Sequence, residues 1–135
     1  MDIMFVNGIP FLTTVSRIIQ FSSATEMSGA TMENVVTALQ VIKSKYKSRG
    51  FTIIAMTADN GFSALANNPD FINMEIVLNL TADDEHGPHI KRFNRTIKDK
   101  CRMSIAGTPF TKLPKRMTAE LVYTMVFWYC MLACR

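Results

Sequence analysis

The sequence predicts a single α/β domain in which helices pack on a mixed β-sheet that begins with an antiparallel hairpin. Two apolar segments flank Asn7-Gly8, a pair that favours the tight turn of a hairpin. From residue 31 onward, segments with helical periodicity alternate with apolar, β-branched segments, as in folds whose sheets contain parallel strands. Of the 135 residues, 48% are hydrophobic, which is enough for the core of one domain spanning residues 1–135.

The first part of the chain is predicted to form three strands. Residues 3–6 and 10–15 are the strands of the hairpin, and Pro10 is acceptable because it stands at the first position of a strand. Residues 18–21 are apolar enough for a third strand. Residues 22–31 contain Ser, Thr and Gly and have the composition of a loop.

The clearest helical pattern covers residues 32–49. Thr31 is a suitable N-cap, and Gly50 supplies the residue that ends the helix. Apolar residues recur along one face of this helix at Val35, Leu39, Ile42 and Tyr46.

The second part of the chain alternates between strands and helices. We expect strands at 51–57 and 76–80, and helices at 61–66, 88–102 and 114–132. The last helix is hydrophobic nearly all round, which predicts that it is buried in the core. Its apolar run of 14 residues, 121–134, is shorter than the ~20 residues that cross a bilayer, so we expect no membrane partner.

The positive charge of the protein is concentrated in one segment. The whole chain carries +4, whereas residues 88–102 contain six Lys and Arg against the single Asp99, and the rest of the chain sums to about −1. Two interpretations remain open, namely a solvated helix face and a contact with DNA phosphates. We favour DNA, with these contact residues: Lys91, Arg92, Arg95, Lys98 and Arg102.

The cysteines and histidines do not form a recognisable metal site. Cys101, Cys130 and Cys134 are scattered and odd in number, which fits buried thiols in a reducing compartment better than a disulfide framework. His86 and His89 could bind zinc with the neighbouring acids, but no cysteine pair completes such a site. Because no targeting signal is seen, we expect an intracellular protein, cytoplasmic and nuclear.

Two aspartates are candidates for metal binding. Asp2 begins the first strand, and Asp59 follows the strand at 51–57 beside Asn60-Gly61. If these strands are adjacent, both carboxylates face one cleft, where they can hold a divalent cation between them. Taken singly, each is also explained as an aspartate in an ordinary turn.

Four segments, taken in order, resemble the integrase catalytic core of copia-type retrotransposons. Residues 85–96 resemble the stretch in which a His-Gly pair leads into a helix bearing Glu-Arg-x-Asn-Arg-Thr, with Lys91-Arg92-Phe93-Asn94-Arg95-Thr96 in place of that motif. Asp2 with residues 3–6 resembles the strand carrying the first catalytic aspartate. Residues 58–62 resemble the Asp-Asn-Gly-x-x-Phe segment carrying the second, and residues 120–128 resemble the helix that follows.

This resemblance implies an RNase H-like fold and a function in DNA integration. It implies Asp2 and Asp59 as catalytic residues and metal ligands, Mg²⁺ or Mn²⁺ as cofactor, DNA as partner and assembly as a homo-oligomer. Relative to the family, the chain looks truncated at both ends, and the zinc domain that precedes the core is absent from the sequence.

The third acid of the family falls at Lys91. Three carboxylates hold the two metal ions of this chemistry, so a lysine there predicts a catalytically degenerate core. Glu85 lies six residues earlier, in a predicted loop, and is a candidate substitute only if that loop brings it close. The alternative function is a non-catalytic nucleic-acid-binding remnant, or an interaction module, of the same fold.

Overall fold

A computed structural model describes residues 1–81 and 87–133, and gives side-chain burial up to residue 132. Its first three strands form an antiparallel meander: β1 (Asp2–Val6), β2 (Ile9–Val15) and β3 (Ser22–Glu26). Asn7 and Gly8 both adopt positive φ, as the predicted turn requires, and they place Val6 opposite Ile9.

Two further strands form a parallel pair. β4 (Ala55–Asp59) runs beside β5 (Val77–Thr81), and Asp59 lies opposite Thr81. The two sheets meet where the amine of Met1 donates a hydrogen bond of 2.6 Å to the carbonyl of Thr57. The predicted α/β fold class, with an antiparallel hairpin followed by helices and parallel strands, is confirmed.

The helices are α1 (Met32–Lys47), a 3₁₀ segment (Asn60–Asn67), α2 (Pro69–Ile72), α3 (Pro88–Ala106) and α4 (Lys115–Ala133). Side chains cap the start of α1, of α2 and of the 3₁₀ segment between β4 and α2. The Thr31 hydroxyl accepts a bond from the N–H of Asn34 at the start of α1. Asn68 caps α2 in the same way, so Pro69 begins a helix there rather than only ending the previous one.

The three-stranded sheet separates two hydrophobic clusters. On one face, Leu12 packs with α1, the 3₁₀ segment and β4. On the other face, Phe11 packs with α3 and α4. Phe11 and Leu12 are adjacent on β2 and both are fully buried. Because successive side chains of a strand point to opposite faces of the sheet, each of them packs in a different cluster.

The predicted third strand at residues 18–21 is wrong. Residues 17–19 form a turn, Gln20 has a positive φ of 51°, and the N–H of Ser16 bonds to the carbonyl of Phe21 to close this connection. The strand is instead the polar segment predicted to be a loop. Ser22 is buried on the face that α4 crosses, where the Cys130 thiol donates to the carbonyl of Ser22 at 3.2 Å. Ser23 is buried on the opposite face, where its hydroxyl shares a hydrogen bond with Thr14.

The prediction that α4 is buried is also wrong for most of its surface. Ala119, Val122 and Val126 face the sheet, while Phe127 and Trp128 are 58% and 53% exposed. An apolar helix packed on one sheet buries only the stripe that meets it. Among the described residues, no helix is long and apolar enough to cross a membrane.

Candidate functional site

Asp2 lies at the start of β1 on the face of the sheet that α3 covers. Met4 and Val6, which share its alternation along the strand, are both part of the cluster under α3 and α4. One carboxylate oxygen of Asp2, Oδ1, accepts a bond from the N–H of Ile3, and Oδ2 accepts a bond of 2.8 Å from the Asn94 amide nitrogen. The position of Asp2 is therefore fixed by both its own strand and α3.

Asp59 ends β4 and caps the 3₁₀ segment that follows. Its Oδ1 accepts a bond of 3.1 Å from the N–H of Gly61. A Cβ added at Gly61 would come within 3.1 Å of the same carboxylate oxygen, so glycine gives this turn its close approach. The sequence placed Asp59 at a strand end, and the structure agrees.

The contact between Met1 and Thr57 relates the two aspartates. The Met1 amine donates to the carbonyl of Thr57, the residue before Ala58. Met1 and Ala58 are both buried in the cluster under α1. The described sheets contain no ladder between β1 and β4, so this bond brings the residue before Asp2 close to the end of β4 without pairing Asp2 with Asp59.

Asp2 and Asp59 both affect the pKa of the Met1 amine. Burial lowers the pKa of this amine below its ordinary value, while Asp2 and Asp59 each act to raise it. Both carboxylates therefore lie within electrostatic reach of one point between β1 and β4.

Lys91 lies in the first turns of α3, three residues before Asn94. Residues three apart on a helix are neighbours on its surface, so Lys91 is one turn from the amide that holds Asp2. Its side chain is exposed. Glu85 and His86, candidates respectively for a substitute acid and a zinc ligand, lie outside the described residues, and His89 is exposed at the start of α3.

Sequence reasoning assigned no role to Asn94, although it stands in the motif that carries the resemblance. Asn94 is 7% exposed, between the apolar residues Phe93 and Ile97. A polar residue on the buried side of an amphipathic helix needs a hydrogen-bond partner. The position of Asn94 among apolar residues could therefore have indicated a structural or functional role.

The basic residues of α3 form an open surface. Lys91, Arg92, Arg95 and Arg102 are exposed, and Lys98 is half-buried. Asp99 reaches two of them, with Arg95 at 3.9 Å and Arg102 at 3.3 Å. Such exposed pairs are weak and rearrange readily, so the cations remain accessible to a polyanion.

The described residues do not fit a site for two metal ions. They contain no group of three or more Asp, Glu, His or Cys that could hold a metal. Asn94 turns its amide nitrogen, not its oxygen, toward Asp2, and the oxygen is buried without a hydrogen-bond partner. Within the described residues, Asp2 and Asp59 therefore provide fewer anionic ligands than a two-ion site uses.

Comparison with known proteins identifies the fold and leaves the family open. No family model matches the sequence, and no curated protein matches it. The catalytic core domain of BIV integrase superposes with a TM-score of 0.65 and 15% identity, covering 96% of this chain and 78% of that one. A chain of the simian T-cell lymphotropic virus intasome, solved with the PP2A regulatory subunit B56 gamma, gives 0.68 and 13%, covering 91% of this chain and 45% of that one. The fold is that of retroviral integrase catalytic cores.

Proposed function

We propose that this chain is a copia-type, integrase-like core that binds DNA and has lost metal-dependent strand transfer. The observation that carries the proposal is the position of Lys91, one helical turn from the amide that holds Asp2. The integrase fold and the resemblance of residues 85–96 support DNA integration as the ancestral activity.

The loss of catalysis follows from charge. Replacing a carboxylate by an ammonium removes one negative charge and adds one positive charge beside a site meant for dications. Two carboxylates and a lysine form instead a group with a net charge of −1, which has little affinity for Mg²⁺ or Mn²⁺. Asp2 and Asp59 then serve as remnants of the catalytic pair.

Thermal melting tests the degenerate site. The parent protein should melt at nearly the same temperature with and without millimolar Mg²⁺. Lys91→Glu should melt at a lower temperature without metal, because three carboxylates repel one another, and should gain ~2.7 kcal/mol at a hundredfold excess of Mg²⁺ over Kd.

Lys98→Glu is the matched control, since it makes the same charge change on the same helix, two turns away. It should show no specific response to Mg²⁺. A parent that responds as strongly as Lys91→Glu would contradict the proposal and would point to Glu85 as the third ligand.

DNA binding through α3 has a separate test. Each phosphate neutralised on B-DNA contributes about −0.9 to the slope of log K against log salt. The double variant Arg95→Ala/Lys98→Ala should therefore flatten the slope by about 1.8 if both residues meet phosphates. Lys47→Ala/Lys112→Ala, which lies outside α3, is the control. An unchanged slope in the first variant would leave α3 as an ordinary solvated face.

The same resemblance implies self-association, which we include in the proposal. Sedimentation of the protein with and without DNA tests it. A monomer under both conditions would remove this part of the proposal and leave DNA binding intact.

A further inference from the structure

β3 and β5 are the outermost strands, because among the described residues β3 pairs only with β2 and β5 only with β4. On such an edge, alternate residues direct their N–H and C=O groups outward, where another strand can pair with them. α4 covers the outer edge of β3. The N–H of Glu26 donates to the Tyr123 hydroxyl, and the carbonyl of Ser22 accepts from the Cys130 thiol. The edge at β3 is therefore occupied by side chains of the same molecule.

The outer edge of β5 has no such cover. The N–H of Val77 donates to the carbonyl of the residue that precedes β4. Val77, Asn79 and Thr81 therefore direct their main-chain groups toward β4, since main-chain direction alternates along a strand. Leu78 and Leu80 direct theirs outward, and among the described residues nothing hydrogen-bonds to them on that side.

The side chains of β5 also lack the features that keep an edge strand from pairing. Its sequence, Val-Leu-Asn-Leu-Thr, contains no charged residue and no proline. Leu78 packs against the cluster under α1, which places Leu80 on the same face, where it is 40% exposed. Val77, on the other face, is 57% exposed. Both faces of the strand thus present apolar surface at an unprotected edge.

β5 is complementary to itself in one antiparallel register. A two-fold axis at Asn79 sets Leu78 of one copy opposite Leu80 of the other, on both sides of the axis. Each of these two pairs exchanges two main-chain hydrogen bonds, so that every outward group of Leu78 and Leu80 is satisfied. The two Asn79 residues form the central pair without main-chain bonds, as required by groups that already face β4. Their side chains meet on the face of Val77, while the leucines of both copies meet on the other face.

We propose that the outer edge of β5 docks a second copy of this chain, so that the two molecules share one continuous sheet. This inference rests on the self-association proposed above and adds the surface, and it is independent of the metal site and of DNA binding. Two five-residue strands form a small interface, so the dimer is weak and exchanges with the monomer. Acidic residues flank β5 in the sequence, Glu75 before it and 83–85 after it, so salt should strengthen the dimer by screening their repulsion.

Cross-linking tests the register. The central Asn79 pair has Cα atoms about 4.5 Å apart in this arrangement, a separation that a disulfide can span. Asn79→Cys should therefore give a covalent dimer when the protein is treated with diamide. Val77→Cys, also on β5, is the matched control, because its two copies lie four residues apart along the pair, or ~13 Å, and should not cross-link. Any background from the native cysteines is common to both variants.

Sedimentation and amide exchange test the surface without a cross-link. Leu80→Lys sets two like charges near the two-fold axis and should weaken dimerisation by about tenfold or more. Val41→Lys, on α1, is the matched control, since Val41 and Leu80 are 42% and 40% exposed, and it should leave dimerisation unchanged. Amide exchange at Leu78 and Leu80 should slow as protein concentration rises, because only the dimer protects these N–H groups.

Three results would overturn the proposal. Equal cross-linking of Asn79→Cys and Val77→Cys would show random collision in place of a fixed register. A dimer that persists in Leu80→Lys, or that Val41→Lys dissociates, would keep self-association and move it to another surface. A monomer at every concentration, with unchanged exchange at Leu78 and Leu80, would remove self-association together with the β5 surface and leave DNA binding in place.

Discussion

Asn94 occupies a position where the two halves of its amide have unequal surroundings. The nitrogen donates to Asp2, while the oxygen is buried without a hydrogen-bond partner. A buried polar atom left unpaired costs free energy, so the bond to Asp2 must offset that cost. Asn94 therefore acts as a positioning residue that ties α3 to the first strand.

Asn94→Ala tests this role. It removes the partner of the Asp2 carboxylate, and we expect a loss of about 1–3 kcal/mol in the free energy of unfolding. Thr96→Ala, on the same helix, removes only a bond from the hydroxyl to the Arg92 carbonyl and should change stability by less than about 0.5 kcal/mol. Urea denaturation measures both. Equal effects would show that the Asn94 bond contributes nothing specific.

Cys101 provides a pH-dependent prediction at the same scale. Burial raises the pKa of its thiol from 9.0 to about 11. The folded state thus disfavours the thiolate, so this contribution to stability is complete below pH 9 and is lost as pH rises from 9 toward 11.

We expect the parent to lose more stability over this interval than Cys101→Ala, which cannot ionise there. Thermal melting at pH 8, 9, 10 and 11 makes the comparison, since other titrating groups are common to both proteins. Parallel curves for the two proteins would show that the Cys101 thiolate is not disfavoured by folding.

At the scale of elements, the sequence predicts the strands and helices whose geometry is set by neighbouring residues. The hairpin and α1 were found because Asn7-Gly8 and Thr31 dictate backbone geometry locally. β3 was missed because its small polar residues resemble a loop, and the burial of Ser22 depends on α4, about a hundred residues later in the chain. Tertiary packing overrides composition in such cases.

The aspartates of the candidate site could be predicted from the sequence, but the contacts between its residues could not. Asp2 and Asp59 were identified because both stand at strand ends, a property visible in the sequence. Their relation to each other depends on the approach of Met1 to Thr57, and the role of Asn94 depends on the packing of α3 against β1. These contacts join residues more than fifty positions apart, which no local pattern reports.

Asp99 lies among the basic residues of α3, and its substitution tests whether this surface contacts DNA. It pairs with both Arg95 and Arg102, and in a DNA complex it would face phosphates of like charge. Asp99→Asn should therefore tighten DNA binding, measured by fluorescence anisotropy at low salt. Glu120→Gln, the same change of charge on α4, should have a smaller effect. A tightening equal in both would indicate net charge alone and not the α3 surface.

At the scale of the whole molecule, the central meander joins two cores into one folding unit. Adjacent residues of β2 face opposite clusters, with Leu12 toward α1 and Phe11 toward α3 and α4. A change on one face therefore disturbs the strand that supports the other. Domains of this size usually unfold in a single cooperative transition.

Substitutions in each core test that coupling. Leu39→Ala, on α1, and Phe93→Ala, on α3, both truncate fully buried side chains and should each cost about 3 kcal/mol. Trp128, the only tryptophan in the sequence, reports on α4 by fluorescence, while far-UV circular dichroism reports on all helices. For both variants the two signals should change at the same urea concentration, because the shared sheet couples the cores. Val41→Ala, at an exposed position of α1, should leave the midpoint nearly unchanged. If Leu39→Ala lost part of its circular dichroism while Trp128 fluorescence stayed native, the two faces would be separate folding units.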